Sequence, residues 1–442
     1  MGIVCPMLGC WRGDAARAGY GEEGRATDGM RITKVTPYLM AAGAPGETSW
    51  SAGGAQGGMS MAGSRHWCFV RIDTDEGVHG VGEGSGWPKL VAAGIADLGA
   101  ILIGEDPRDI DRLWHRMFVG QMGHGQTGTP GAGALAAIDM ALWDIKAKWL
   151  DVPVWQLLGG RFRDRVRAYV HASTVETARA GRSAGFGAFK TGNVRDAVAK
   201  VGELRSALGP EVDIAVDLHG PPWLTSSDAI RLGRALEPYD LLFLEEPVAP
   251  EDLDGLARVR RAVDLPIAAG ERGALLWGYR RLIGDRLVDI VQPDTGRAGG
   301  LTQLRKIAAY AEANFIQVAP HSGTLGPVAE FAAIHFLASI PNALIHERFL
   351  KDWEGRDRVV SHRLEVEDGH VVVPDRPGLG VDLVVEEIER HPPGVNVVGP
   401  NPKFGAAYED GTAAESLYVQ PRRGRAAFFP PLDPRSVHDR DS

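Results

Sequence analysis

IAVD (214–217), LLFLE (241–245), IAAGE (267–271), VDIVQPD (288–294), FIQVAPH (315–321) and ALIHE (343–347) are short apolar runs, each closing on an acid or an imidazole. The closing residues, Asp217, Glu245, Glu271, Asp294, His321 and Glu347, follow one another at steps of 28, 26, 23, 27 and 26 residues. A step of that length holds one strand, one helix and two loops. In a (β/α) barrel the carboxyl ends of successive strands converge on one mouth, so residues far apart in sequence would meet around a single ligand.

Outward from this ladder the alternation continues. VRAYVHA (166–172) reads as a strand and VETARAGRSAG (175–185) as a helix; AFKTG (188–192) and RDAVAKVGELRSALG (195–209) repeat the pair. Eight strands are expected, ending near residues 166, 189, 217, 245, 270, 292, 319 and 346, within a barrel spanning 156–363. Before Pro153 the order differs. RITKVTPYLMA (31–41), HWCFVRIDTDEG (66–77) and VHGVGEGSG (78–86) read as an antiparallel meander with its hairpin at Asp75-Glu76-Gly77. Helical patterns follow at 90–104, at 106–118 with Asp106 and Pro107 as start signals, and at 134–150 beyond a glycine-rich stretch from Gly120 to Gly133. Strands followed by helices without alternation indicate an α+β unit over 30–155. VEDGHVVVPDRPGLG (366–380) is hairpin-like, and 364–404 is expected to return to that unit. Residues 1–29 and 405–442 are expected to be disordered, the former standing upstream of the patterned chain.

Composition narrows the class. The 442 residues are 44% hydrophobic and 24% charged with net charge −9, and no basic block marks a nucleic-acid or membrane partner. Cys5, Cys10 and Cys68 offer no disulfide or zinc spacing, and there is neither a secretory signal nor a membrane-length apolar run, so a cytoplasmic protein is expected.

An acid at any single strand end could merely cap the next helix. Three consecutive ones, Asp217, Glu245 and Glu271, would repel one another unless a hard cation neutralised them, and an all-oxygen set suits Mg²⁺ or Mn²⁺. His219 lies two residues past Asp217, on the same side of an extended segment, and is a candidate acid. Asp294 and His321 end adjacent strands; an Asp that holds one ring nitrogen leaves the other free as a general base. No G-x-S-x-G elbow or reactive cysteine competes with that reading. Lys190 ends the second strand as a base, an electrostatic contact or a solvated rim lysine, and Gly192 holds the next place on its face. The segments GRAGG (296–300) and SGTLGP (322–327) read as tight βα turns in preference to phosphate cradles.

The stretches AAIDMALWDIKAKWLDVPVWQLLGG (136–160), AVDLHG, FLEEPV, AAGER, VQPD, APHSGTLGP and HERF together resemble the enolase superfamily, in its mandelate racemase and sugar-acid dehydratase group. The resemblance implies a modified (β/α)₇β barrel of the TIM type under an α+β capping domain built from both ends of the chain, and a homo-oligomer. It implies Mg²⁺ on Asp217, Glu245 and Glu271, a base formed by Asp294 and His321, and Glu347 beside the substrate carboxylate. A Lys or His base working with Mg²⁺ is the known pattern of this superfamily. Members with two lysines on the second strand work on both faces of their substrate, and Gly192 stands at the second lysine place here. Asp-Leu-His at 217–219 resembles dehydratases of aldonic acids, galactonate above all, in which that histidine protonates the departing hydroxyl. Gluconate, mannonate or deoxy-acid dehydratases, a racemase or cycloisomerase, and a barrel that binds metal without turnover are the alternatives. Loop 43–64 is expected to be the lid, and Trp50, Arg65, His66, Trp87 and His124 are candidates for reading the sugar.

Overall fold

In the computed structural model of the chain, residues 29–42, 59–60, 65–125, 128–192, 196–220, 223–323, 325–393, 399–400 and 418 are described. The expected extension apart from Gly29, most of loop 43–64 with Trp50, and the tail from 405 apart from Tyr418 lie outside them.

Eight parallel strands close a barrel: Arg165–His171, Ala188–Gly192, Asp213–Asp217, Phe243–Glu245, Ile267–Ala269, Ile290–Val291, Gln317–Val318 and His346–Arg348. Closure comes from Val318 bridging Ala343 and from Glu347 pairing with Tyr169 of the first strand. Seven α-helices connect these strands, and a short 3₁₀ turn (Glu354–Asp357) follows the eighth, so the barrel is (β/α)₇β. The first strand runs on to His171, five residues past its expected end.

One layer of the interior takes a side chain from every strand: Tyr169, Ala188, Ala215, Phe243, Ala268, Ile290, Ala319 and Ile345. Large and small residues fill the tube together, as a packed barrel core requires. Because a strand repeats its facing every second residue, the next layer toward the mouth is His171, Lys190, Asp217, Glu245, Gly270, Gln292, His321 and Glu347. The polar site therefore stands one step above an apolar floor.

The cap is a three-stranded antiparallel sheet, Ile32–Ala42, Arg65–Thr74 and His79–Gly84 in spatial order, packed on the helices Pro88–Ala100, Ile110–Met122 and Thr129–Trp149. Its hairpin turns at Gly77, whose φ of 79° is the left-handed conformation that glycine adopts without strain. Two helix boundaries differ from expectation. The second helix begins at Ile110, one turn later: Asp106 instead closes a local turn, accepting the Arg108 backbone N–H at 2.9 Å and its guanidinium at 2.6 Å. The third begins at Thr129, within the end of the expected glycine-rich stretch. A Cβ at Gly133 would sit 2.2 Å from the Ser85 carbonyl oxygen, so glycine there lets the end of the third cap strand lie on the helix.

The hairpin Val366–Glu367/His370–Val372 extends the barrel by pairing antiparallel with the first strand. Farther along, the Leu379 N–H donates to Asp144 at 2.7 Å, and the His391 carbonyl accepts from Ala41 N–H at 3.0 Å, both partners lying in the cap. No helix among the described residues is long and apolar enough to cross a membrane.

Candidate active site

Lys190 and its neighbours form the centre of the mouth. Its ammonium lies 2.9 Å from both oxygens of Glu245, 3.0 Å from Glu347 Oε1 and 3.3 Å from Asp217 Oδ2, and the side chain is only 2% exposed. It is not a solvated rim lysine. Burial works against its charge, but Asp217, Glu245 and Glu347 outweigh burial and hold its pKa well above the ordinary value. Gln292, unremarked in the sequence, donates to Glu245 Oε2 at 2.9 Å.

Glu347 is gripped from three sides. His171 Nε2 lies 2.7 Å from its Oε1, and the backbone N–H groups of Ser322 and Gly323 donate to Oε2 at 2.7 and 2.9 Å. Burial would raise its pKa; Lys190, His321 and His171 hold it well below the carboxylate range. His171 was missed because the first strand was expected to stop short of the mouth.

The Asp294–His321 pair is present. His321 Nδ1 lies 2.7 Å from Asp294 Oδ2, while Asp294 Oδ1 accepts from Gly296 N–H at 2.8 Å. Nε2 faces Glu271 Oε2 at 3.3 Å and Glu347 Oε2 at 3.9 Å. Burial would lower the imidazole's pKa, but Glu271, Glu347 and Asp294 lift it to about 9. Asp294 and Glu271 are not members of the mouth layer. Gln292 and Gly270 hold those places, and the two acids reach in from the loops above.

The Asp217 carboxylate accepts the His219 N–H at 2.9 Å, which turns the chain just past the strand. The His219 ring ends 3.7 Å from Glu271 Oε2 through Nδ1 and 3.2 Å from the Arg272 guanidinium through Nε2. Arg272 also binds Glu246 at 2.9 Å and stacks on Trp223 at 4.8 Å, and Arg297 lies 3.3 Å from Asp294. Neither arginine was expected; each follows a strand-end acid, Arg272 directly after Glu271 and Arg297 three residues after Asp294.

The acids do not gather as the sequence expected. Among the described residues, His219, Glu246 and Glu271 are the set whose ligand atoms lie within 4.8 Å of one another; Asp217, Glu245 and Glu271 do not form such a set. The Lys190 ammonium binds both Asp217 and Glu245, while Glu271 faces the two histidines instead. The donor chemistry nonetheless fits a divalent cation. Burial and repulsion from Asp217 push Glu245 up to about 8, and burial and Glu271 push Glu246 up to about 8. Glu246 Oε1 is buried without a hydrogen-bond partner. Glu271, by contrast, is held well below its ordinary value, because His321, His219 and Arg272 outweigh its burial. Hard oxygen donors crowded in this way are what Mg²⁺ binds.

Residues 173–388 match the family model described as enolase C-terminal domain-like, and residues 52–159 match the N-terminal domain of mandelate racemase/muconate lactonizing enzyme. The chain belongs to the mandelate racemase/muconate lactonizing enzyme group of the enolase superfamily. It is 38% identical over 379 residues to a D-galactonate dehydratase of Ralstonia nicotianae, covering 79% of this chain and 96% of that protein. It is 36% identical over 416 residues to the D-galactonate dehydratase of Pectobacterium atrosepticum, covering 87% of this chain and all of that one. The crystal structure of the 3,6-anhydro-D-galactonate cycloisomerase from Zobellia galactanivorans superposes with a TM-score of 0.74 at 32% identity, over 82% of this chain and 100% of that one.

Proposed function

We propose that the protein is a hydro-lyase that dehydrates an aldonic acid, galactonate-like in its configuration, to a 2-keto-3-deoxy acid. The observation that carries this reading is the Asp294–His321 contact at 2.7 Å, facing His219 across Glu271. Asp294 accepts from Nδ1–H, and Nε2, once it has given up its own proton, takes the proton from carbon 2. As the bond from carbon 3 to its hydroxyl oxygen breaks, His219 delivers a proton to that oxygen, which leaves as water. The enol then tautomerises, gaining a proton at carbon 3. Lys190, charged and fixed, faces the negative charge that builds on the substrate carboxylate, and Glu347 orients that end.

Asp217, Glu245 and Glu271 would hold Mg²⁺. When bound, the cation supplies a positive charge against which the substrate carboxylate can take up negative charge. A second reading places Glu246, with Glu271, on the cation; it is favoured by the grouping of His219, Glu246 and Glu271 within 4.8 Å and by the unpartnered Glu246 oxygen. A cycloisomerase reading draws on the Zobellia neighbour, but both D-galactonate dehydratases have the higher sequence identity.

The test is a panel of aldonic, aldaric and anhydro-aldonic acids with added Mg²⁺, assayed for 2-keto-3-deoxy product. Turnover of an anhydro acid alone would favour the cycloisomerase, epimer without water loss a racemase, and no turnover a non-catalytic barrel. His321→Asn should abolish exchange of the α-proton in heavy water; His219→Asn should abolish dehydration while exchange persists. Exchange surviving in His321→Asn would refute the base assignment.

A further inference from the structure

Three barrel helices cap their own N-termini with a local side chain. Thr174 accepts from Thr177 N–H, Thr225 from Asp228 N–H and Asp252 from Gly255 N–H. The two helices that follow the loops bearing Asp294 and His321 do not. Their N-cap residues are Gly300 and Gly326, which have no side chain to offer. The capping domain supplies carboxylates in their place. Asp139, on the long cap helix, accepts from the Thr302 N–H at 2.9 Å and from its hydroxyl at 2.6 Å. Glu83, on the third cap strand, accepts from Gly326 N–H at 2.5 Å and Ala329 N–H at 2.9 Å.

The glycines are what make room. A Cβ at Gly300 would stand 2.4 Å from Asp139 Oδ2, and one at Gly326 would stand 2.8 Å from Glu83 Oε1. These are the glycine-rich turns of the sequence, and each of these helix N-termini is filled by a protein carboxylate. A third tie joins them. Ser85 N–H donates to the Gly296 carbonyl at 2.8 Å, and the N–H of that same Gly296 donates to Asp294 at 2.8 Å. The loop from His321 is thus held at both ends: Ser322 and Gly323 donate to Glu347, and Gly326 donates to Glu83.

We propose that Glu83, Ser85 and Asp139 are positioning residues through which the seated cap fixes the Asp294–His321 pair. The inference rests on reading that pair as the base. Proton abstraction is sensitive to misplacements on the order of 1 Å, so a cap that holds both loops couples docking of the two domains to competence of the base.

The variants Glu83→Gln and Asp139→Asn keep size and remove one acceptor oxygen each. Each should lower kcat and α-proton exchange about 10- to 100-fold, a loss within the range of general-base catalysis. KM should stay within about threefold, because Lys190 and Glu347 are untouched. The far-downfield proton of His321 Nδ1–H, read by NMR without substrate, should shift or broaden in both. Should Glu83→Gln fail to fold, Gly326→Ala displaces the same carboxylate while leaving the charge in place, and the same changes are expected. Unchanged kcat and an unmoved downfield resonance, with only a lower thermal midpoint, would overturn the proposal. If the wild-type chain dehydrates no acid, the proposed function fails by itself and the NMR arm decides the positioning: a resonance unmoved in all variants overturns it.

Discussion

Gly80, Gly82 and Gly84 face the cap helix Thr129–Trp149 with no side chain between the two backbones. A Cβ would lie 2.1 Å from the Ala141 oxygen at Gly80, 2.0 Å from the Ala137 oxygen at Gly82 and 2.3 Å from the Gly133 oxygen at Gly84. Every second residue of the strand meets the helix one turn along. In Gly82→Ala the clash is with backbone, which cannot rotate away. Carbon and oxygen need about 3.3 Å, so strand and helix must part by roughly 1.3 Å. Overpacking of this kind costs about 1–3 kcal/mol. The shift also carries Glu83 away from Gly326 and Ala329, and losing one hydrogen bond to a charged group adds about 1.5–3 kcal/mol. The expected loss is therefore about 3–5 kcal/mol, which for a chain of this length is a fall in melting temperature of roughly 4–6 °C. Gly120 provides a control of opposite sign. It is helical, with nothing within 4 Å of a would-be Cβ, so Gly120→Ala should stabilise by about 0.5–1 kcal/mol. Urea and thermal unfolding of both variants measure this. A Gly82→Ala protein within about 1 kcal/mol of wild type would refute the close-packing argument.

His335 is buried, accepting from Trp155 N–H at 3.2 Å and facing the Leu379 carbonyl at 3.0 Å, and burial drives its pKa down to about 4. Its neutral form stabilises the fold fully above the unfolded value near 6.5, and that contribution, about 3 kcal/mol, is lost as pH falls through about 4. His335→Gln should flatten the acid limb of a melting-temperature-against-pH curve, and an unaltered limb would contradict the assignment. Lys190→Met leaves three buried carboxylates without their counter-charge and should cost about 3–5 kcal/mol in chelator, with part recovered on adding Mg²⁺; full stability in chelator would count against the charge balance described above. For the two metal sets, calorimetric Mg²⁺ titration of Glu245→Gln and Glu246→Gln should separate ligand from neighbour. The ligand's loss should weaken binding by more than about 100-fold and the neighbour's by less, neighbours of metal ligands being worth about 10- to 100-fold. A greater loss in Glu246→Gln would establish the second set.

What the sequence made legible follows from how each contact is encoded. Strands ending on acids at near-even steps are a local, repeated pattern, so the barrel and its residues Lys190, Asp217, Glu245, Glu271, Asp294, His321 and Glu347 could be read from the chain alone. Depth could not be read from that ladder, because it took the last acid of each run. Counting two residues up from the apolar layer would have found His171 and Gln292, and would have shown that Glu271 and Asp294 stand beyond it. The choice between Glu245 and Glu246 lay equally out of reach, since adjacent residues on a strand differ only in facing, and Glu246 leaves the strand with a left-handed φ of 43°. The ties from the cap had no local signature at all. Glu83 and Gly326 are 243 residues apart and Asp139 and Thr302 are 163 apart, and nothing local to either carboxylate points to its partner. Their one trace was a deficit: two barrel helices opening on glycine where three others open on a capping threonine or aspartate. A helix N-terminus has N–H groups that must be satisfied, so a missing local cap in a buried helix implies an acceptor elsewhere in the chain. Applied to the bare sequence, that rule would have directed attention from Gly300 and Gly326 to the buried acids of the cap.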